Sequence, residues 1–182
     1  MRFVVLCSVF ILAGPHLAYA ACPAAPEIDA EQARILEDIR AATNEHDARV
    51  LTNELWGLWA QAPDEPSQEL LDRGMKARGS YDFLGALDAL DRLVEYCPDY
   101  AEGYNQRAFV NFLRQDFEAA LIDLDRALDR RPGHVAAMSG KALTLMGLGR
   151  NDEAQLVLRE AVEINPWLPE RGLLLAPKGD DL

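Results

Sequence analysis

The chain is poor in the residues that catalysis and metal binding usually require. Its 182 residues include only three histidines and three cysteines. His46 and His134 are far apart in the sequence and are predicted to be solvent-exposed turn residues, whereas a zinc ion needs several converging ligands. The serines lie outside any G-x-S-x-G motif, and no glycine-rich phosphate loop is present. The sequence therefore predicts no enzymatic activity, no metal site and no cofactor.

Positively charged residues are also fewer than negatively charged ones. The chain has 18 Lys and Arg residues against 30 Asp and Glu residues, and its formal net charge is -12. Nucleic acid and anionic lipid select clustered positive charge, so binding to either is disfavoured. A partner steered by charge would have to present a basic surface. We predict that the acidic residues of two helices form a solvated outer face: Asp88, Asp91, Glu95, Asp123, Asp125 and Asp129.

The sequence has no hydrophobic run long enough to span a membrane. The apolar run from Phe3 to Ala13 is shorter than the roughly 20 residues that a spanning helix needs. A basic residue precedes this run, and Ala18-Tyr19-Ala20 forms an A-x-A cleavage site. We predict that residues 1–20 are a signal peptide cleaved after Ala20, so that the mature chain is exported and has no membrane span. An N-terminal membrane anchor and a lipoprotein acylated at Cys22 remain alternatives.

Cleavage would leave two cysteines, Cys22 and Cys97. Disulfides persist in the compartments that exported proteins reach. A bridge between these two residues would close a loop of about 75 residues and contribute roughly 4 kcal/mol in the chain-entropy description. We predict this disulfide; the alternative is two unrelated thiols.

A thirteen-residue segment occurs three times in the chain at a constant step of 34 residues. It reads ALDALDRLVEYCP at 86–98, ALIDLDRALDRRP at 120–132 and AQLVLREAVEINP at 154–166. A constant period of this length indicates a repeat architecture, with repeats at 67–100, 101–134 and 135–168.

Each repeat is predicted to be a pair of closely packed helices. Small residues at the eighth and twentieth positions allow the helices to approach each other: Gly74, Ala108, Ala142, Ala86, Ala120 and Ala154. A proline ends the second helix of each pair: Pro98, Pro132 and Pro166. The turns between the two helices are predicted at Gly79, Gln115 and Gly149. The caps of the second helices are predicted at Asp82, Asp116 and Asn151.

The segments that flank the repeats are predicted to cover the ends of the stack. After an arm at 21–30, helical spacing indicates helices at 29–43, with Asp29 and Gln32 as a capping box, and at 47–62. We interpret 31–66 as a degenerate N-terminal repeat, whose Trp56 and Trp59 pack within the cap. Residues 169–182 are predicted to form a C-terminal cap and tail.

The three repeats resemble the tetratricopeptide repeat family, whose signature has a small residue at the eighth position, alanine at the twentieth and proline at the thirty-second. Departures are mild: Leu70, Tyr104 and Met138 stand where the family has tryptophan. The resemblance implies an all-α, right-handed superhelical solenoid of antiparallel helix pairs. EGYNQRA at 102–108 and GHVAAMSG at 133–140 are similar to a bacterial envelope branch of the family, which implies the periplasm of a Gram-negative bacterium.

Members of the family bind extended or helical segments in a concave groove that the first helix of each repeat lines. Carrying these groove positions onto the present sequence implies the following partner-binding residues: Met75, Arg78, Asn105, Gln106, Phe109, Phe112, Leu143 and Met146. The family's chaperone-binding members grip a C-terminal carboxylate with cations that are not present at the matching positions here, so a carboxylate clamp is disfavoured. Packing of Phe109 and Phe112 between repeats remains an alternative.

The function predicted on this basis is that of an adaptor that binds a protein or peptide segment. A second hypothesis is a homo-oligomeric structural element that pairs through end faces at Trp56, Trp59 or Trp167. A third is a small-ligand protein, for which Asn105, Gln106 and Ser139 are scattered polar candidates.

Overall fold

A computed structural model describes residues 21–176, and these residues form an all-α fold. The all-α prediction is therefore confirmed. The predicted signal peptide at 1–20 and the end of the predicted tail lie outside the described residues. The described helices are α1 Asp29–Ala41, α2 Glu45–Trp59, α3 Glu65–Gly79, α4 Phe83–Tyr96, α5 Ala101–Leu113, α6 Phe117–Arg130, α7 Val135–Gly147 and α8 Asn151–Ile164, followed by a short 3₁₀ helix at Pro169–Leu173. None of them is both long and apolar enough to cross a membrane.

The three predicted repeats correspond to the pairs α3–α4, α5–α6 and α7–α8, each of which is joined by extensive helix–helix contact. The five alanines at the eighth and twentieth positions are fully buried. Gly74 shows how close the two helices of a pair come, because a methyl group added there would lie 2.6 Å from Leu90 Cγ. Small residues at these positions therefore do allow close packing.

The turns inside the repeats follow the prediction in part. Asp82 and Asp116 cap α4 and α6 as predicted, since their carboxylates accept hydrogen bonds from backbone N–H groups three residues later. Gln115 and Gly149 have the positive φ of a tight turn, but in the first repeat this conformation falls on Tyr81 and not on Gly79. Asn151 is the first residue of α8 and does not cap it.

The N-terminal hairpin, defined as α1 and α2, does not occupy the place expected of a terminal repeat. Adjacent repeats are joined by extensive contacts between α4 and α5 and between α6 and α7. The helices α2 and α3 make no comparable contact with each other. Apolar side chains of the hairpin instead share one core cluster with the third repeat: Ile35, Leu36, Ile39, Leu55 and Trp59 pack with Val135, Met138, Ala161 and Leu168. The hairpin therefore folds back over the repeats.

The predicted capping box of α1 is wrong. The helix begins at Asp29, and no side chain caps it. Gln32 is buried, and its Oε1 accepts a hydrogen bond of 2.8 Å from Trp59 Nε1. This bond holds α1 to α2, so Gln32 serves the packing of the hairpin and not the helix end.

The disulfide between Cys22 and Cys97 is present, with a Cα–Cα distance of 5.1 Å and a sequence separation of 75. It fixes the N-terminal arm to the end of α4. Farther along the arm, Asp29 accepts a 2.6 Å hydrogen bond from Arg131 Nη1. The N-terminal part of the chain is therefore held to the first repeat at Cys22 and to the second repeat at Asp29, the first residue of α1.

The outer acidic face is not solvated throughout. Asp123 has 3% relative exposure, and both of its carboxylate oxygens accept hydrogen bonds of 2.7 Å from Arg107. Arg107 also pairs with Asp91 at 2.8 Å. The Asp123 hydrogen bond is the main cause that raises the pKa of Arg107. Asp123 therefore joins α5 to α6, which corrects the predicted role of this residue.

The C-terminal segment lies along α8. Gln155 Nε2 donates to the backbone oxygen of Leu173, and the backbone N–H of Leu175 donates to Gln155 Oε1, at 3.0 and 2.8 Å. Trp167 packs against the core cluster that the hairpin and the third repeat share. This segment therefore covers the outer side of the last repeat.

Candidate binding groove

A cavity of about 280 Å³ lies between the hairpin and the inner helices of the second and third repeats. Helices α5 and α7 form one wall, α2 forms the opposite wall, and residues 168–170 close one end. Most of the lining is apolar, and its largest apolar side chains are Trp56, Trp59, Phe109, Phe112, Leu124, Leu143 and Leu168. We call this space the groove cavity. It is the part of the concave side that α2 covers.

Four of the eight predicted partner-binding residues line the groove cavity: Asn105, Phe109, Phe112 and Leu143. Phe109 is 43% exposed, so a large part of its side chain is accessible to solvent. Phe112 is half-buried, and its ring centroid lies 5.6 Å from that of Phe117 on α6. Phe112 therefore contacts both the cavity and its own repeat.

The other four predicted residues lie elsewhere. Met75 packs against the core of the first repeat, and Met146 is half-buried on α7 without being part of the cavity lining. Arg78 and Gln106 belong to a chain of buried polar groups. The guanidinium of Arg78 also lies over the ring of Phe109, 4.6 Å from its centroid.

The buried polar chain runs from Arg78 through Gln106 and Glu102 to His134. Arg78 donates to Gln106 Oε1, Gln106 Nε2 donates to Glu102 Oε1, and His134 Nε2 lies 2.8 Å from Glu102 Oε2. Each of the last three residues is at most 2% exposed. Burial lowers the pKa of the Arg78 guanidinium, and the nearby Glu102 carboxylate opposes this effect. The buried polar chain therefore links the first repeat to the second and ends at His134, the residue that precedes α7.

His134 corrects a prediction, because it is fully buried and not a solvent-exposed turn residue. Its Nδ1 accepts a hydrogen bond of 3.3 Å from the backbone N–H of Ala137 and so caps α7. The proton of the neutral ring is then on Nε2, which donates to Glu102. The repeat alignment contained a signal for this burial, since the last position of the other two repeats is Tyr100 and Leu168, and both are buried.

Trp59 connects the hairpin to this chain. Its indole stacks on the imidazole of His134 with ring centroids 4.0 Å apart, and its backbone oxygen accepts a 2.7 Å hydrogen bond from the Tyr100 hydroxyl. Burial is the main cause that raises the pKa of Tyr100. Trp59 itself is only 2% exposed, so it packs within the chain and does not form an exposed end face.

Two hydroxyl groups in the wall of the groove cavity have no hydrogen-bond partner among the described residues. They are Ser139 Oγ and Thr144 Oγ1 on α7. Ser139 is 5% exposed and Thr144 is 0% exposed. Buried hydroxyls are hydrogen-bonded in the large majority of cases.

Within residues 21–176, no group of three or more His, Cys, Asp or Glu side chains is arranged so that it could hold a metal ion. The polar chain is occupied by its own internal hydrogen bonds. The groove cavity, with its mostly apolar lining, can accommodate an apolar group.

Comparison with known proteins agrees with this architecture. The family model described as tetratricopeptide repeat matches residues 111–175. The chain belongs to the tetratricopeptide repeat family. It is 39% identical over 71 residues to a tetratricopeptide repeat-containing protein of Rhizobium etli, a match that covers 39% of this chain and 34% of that protein. It is 31% identical over 124 residues to tetratricopeptide repeat protein 36 of Mus musculus, covering 65% of this chain and 66% of that protein. The matches thus span about a third of the first relative and just under two thirds of the second.

A solved tetratricopeptide repeat domain has the same fold. The first such domain of Spaghetti (RPAP3), solved bound to the HSP90 peptide SRMEEVD, superposes with a TM-score of 0.58 at 19% identity, covering 59% of this chain and 86% of that one. At this identity the likeness shows the fold alone.

Proposed function

We propose that this tetratricopeptide repeat protein is a non-enzymatic adaptor that binds a segment of a partner protein in the groove cavity. The observation that carries the proposal is the cavity itself, with Phe109, Phe112 and Leu143 presented on the inner helices of adjacent repeats. Aromatic residues in apolar pockets commonly contribute most of the energy of an interface. The solved domain bound to an HSP90 peptide supports the choice of a peptide segment as the ligand.

The segment should be apolar and neutral or basic. The net charge of -12 repels acidic peptides over a distance, and Glu170 stands at the end of the groove cavity. Arg78, the cation nearest to Phe109, already donates to Gln106. An acidic tail such as SRMEEVD would therefore find no free cation among the predicted partner-binding residues.

Export to the periplasm is part of the same proposal. The Cys22–Cys97 disulfide supports export, because disulfides persist in oxidising compartments and are rare in reducing ones. N-terminal sequencing of protein purified from the periplasm tests this part, with Ala21 as the expected first residue. Recovery of the chain only from the cytoplasm, with its N-terminus uncut, would contradict it.

The adaptor proposal is tested by affinity capture from an envelope extract. Wild-type protein is compared with the double variant Phe109→Ala, Phe112→Ala and with a matched control, Ile122→Ala, Leu156→Ala, which alters two exposed apolar residues on the outer helices. The proposal predicts a protein that wild type and control retain and that the folded groove variant loses. A partner retained equally by all three would overturn binding in the groove cavity, and self-association measured by light scattering would favour a homo-oligomer instead.

A further inference from the structure

The groove cavity is too small to hold a whole bound segment. A cavity of about 150 Å³ holds one benzene ring, so the volume of about 280 Å³ holds one or two side chains. A helix with its side chains is about 10–12 Å across and does not fit into this space. A longer segment can therefore reach Phe109, Phe112 and Leu143 together only if one wall of the groove cavity moves away.

The hairpin is the wall that can move. Helices α5 and α7 pack extensively against other helices of the repeats, whereas among the described helices α1 and α2 make extensive contact only with each other. Side chains hold the hairpin in place, mainly the core cluster around Leu55 and Trp59 and the stack of Trp59 on His134. The Asp29–Arg131 pair adds little, because the Asp29 side chain is 80% exposed. Displacing the hairpin therefore leaves the contacts between the repeats intact.

Both ends of the hairpin segment are attached to the end of α4. At its start, Cys22 is bonded to Cys97, the residue that follows α4. At its end, Asp64 precedes α3 and accepts a 2.6 Å hydrogen bond from the Tyr96 hydroxyl. The disulfide therefore makes residues 22–64 a closed loop whose two ends are fixed at neighbouring residues of the first repeat. Without the disulfide, only the connection between α2 and α3 joins the hairpin covalently to the repeats.

We propose that the hairpin is a redox-sensitive lid over the groove cavity, which the Cys22–Cys97 disulfide keeps closed and which opens when the disulfide is reduced. The cross-link restricts the open hairpin more than the closed one, because an open hairpin without it moves freely about a single connection. As a control of partner access the lid rests on the proposed function. The movement itself is a property of this chain alone and is measured without a partner.

The reductant is a dithiol, such as that of a thiol–disulfide oxidoreductase. Cys22 is half-buried and Cys97 is 1% exposed, so a thiolate of the reductant attacks Cys22 Sγ. The S–S bond breaks, and Cys97 Sγ leaves with the electron pair and takes up a proton. The second thiolate of the reductant then attacks the mixed disulfide and releases Cys22, which is also protonated. The protein gains two electrons and two protons, and the dithiol becomes a disulfide.

Hydrogen exchange measured by mass spectrometry on the mature protein tests the lid. Helices of 13 and 15 residues are marginal on their own, so the amides of α1 and α2 exchange when the hairpin opens. Reduction with dithiothreitol should lower their protection at least about tenfold. In the reduced protein they should also be at least about tenfold less protected than the amides of α5 and α6. Unchanged protection of α1 and α2 on reduction, or protection equal to that of α5 and α6, would overturn the lid.

Two variants separate the disulfide from other effects of the reagent. Cys22→Ser without reductant should show the exchange of the reduced wild type and should not respond to dithiothreitol. Glu27→Ala is the matched control, because it alters an exposed residue of the same arm and keeps the disulfide. It should exchange like the oxidised wild type. Faster exchange of α1 and α2 in Glu27→Ala than in Cys22→Ser, or equal exchange in the two, would overturn control by the disulfide.

Affinity capture with Cys22→Ser and wild type then separates the lid from the adaptor function. Apparent affinity rises with the fraction of protein that is open, so Cys22→Ser should bind the partner at least about tenfold more tightly. The predicted exchange without any captured partner would support the lid and contradict the adaptor function. A partner bound equally by both proteins would support the adaptor and overturn control of access by the lid.

Discussion

Trp59 and His134 stack with their ring planes 23° apart, although 75 residues separate them in the chain. Trp59 ends α2 of the hairpin, and His134 precedes α7 of the third repeat. The stack covers the end of the buried polar chain, because the same imidazole lies 2.8 Å from Glu102. This contact fixes the hairpin over the concave side and thereby forms one wall of the groove cavity.

Replacing His134 should therefore destabilise the fold strongly. His134→Ala removes the stack with Trp59, the cap of α7 and the hydrogen bond to the buried Glu102. We expect the free energy of unfolding to fall by about 3 kcal/mol or more, as measured by urea denaturation at pH 7. His46→Ala is the matched control, because His46 is exposed on α2, and it should change stability by less than about 0.5 kcal/mol. Equal effects of the two substitutions would contradict the buried role of His134.

The disulfide should contribute to stability through the arm. Cys22→Ala, Cys97→Ala is expected to lower the free energy of unfolding by about 2–4 kcal/mol, because the unfolded chain gains the freedom that the cross-link removes. Reductant should destabilise the wild type by a similar amount and leave the double variant unchanged. Intact mass should show two hydrogens fewer in the oxidised wild type than after reduction. Labelling of both cysteines in folded, unreduced protein would disprove the bridge.

Asp123 and Asp129 belong to the same helix, α6, but should respond differently to substitution. Asp123→Asn leaves the half-buried Arg107 without its bidentate partner, so we expect a loss of about 2–4 kcal/mol in chemical denaturation. Asp129 is exposed, and Asp129→Asn should stay within about 0.5 kcal/mol of wild type. A loss at Asp123 as small as the one at Asp129 would show that the pair with Arg107 contributes little.

Asp64 should make stability depend on acid pH. The side chain of Ser67, and next the Tyr96 hydroxyl at 2.6 Å, hold the pKa of the Asp64 carboxyl below its usual value. Its stabilising contribution is therefore fully present above the ordinary carboxyl pKa of about 4 and is lost as the pH falls through the lower folded value.

Tyr96→Phe tests this pH dependence, because it removes one of the three hydrogen bonds that the Asp64 carboxylate accepts. Wild type should exceed the variant in stability at pH 7, and the difference should shrink at pH 3 and below. Other carboxylates titrate in both proteins and cancel in the comparison. A difference that stays constant between pH 7 and pH 2.5 would show that the pair does not shift the pKa of Asp64.

The parts of the fold that the sequence predicted well depend on contacts between residues that are close together in the sequence. The helices of each repeat follow from the constant period, from alanines at close-packing positions such as Ala108 and Ala142, and from the caps Asp82 and Asp116. These signals act within one repeat, so they can be read without knowing the tertiary structure.

The position of the hairpin could not be read in this way. Its contacts join residues far apart in sequence, such as Asp29 with Arg131 and Trp59 with His134. Helical spacing reports which face of a helix is apolar but not what that face packs against. For the same reason, Asp123 and His134 were predicted to be exposed to solvent. The sequence predicted that Asn105, Phe109, Phe112 and Leu143 line a groove, but it did not predict that α2 forms another wall of the same cavity.

The central claim is that a partner segment binds in the groove cavity, and site-specific photo-crosslinking tests it most directly. The crosslinking residue p-benzoylphenylalanine replaces Phe109 at the mouth of the cavity in one protein and Ile122 on the outer helix α6 in another; the two positions are 43% and 55% exposed. The partner retained in affinity capture should form a covalent adduct with the protein labelled at position 109 and not with the one labelled at 122. An adduct only at position 122, or equal yields at both positions, would place the partner outside the groove cavity and contradict the account.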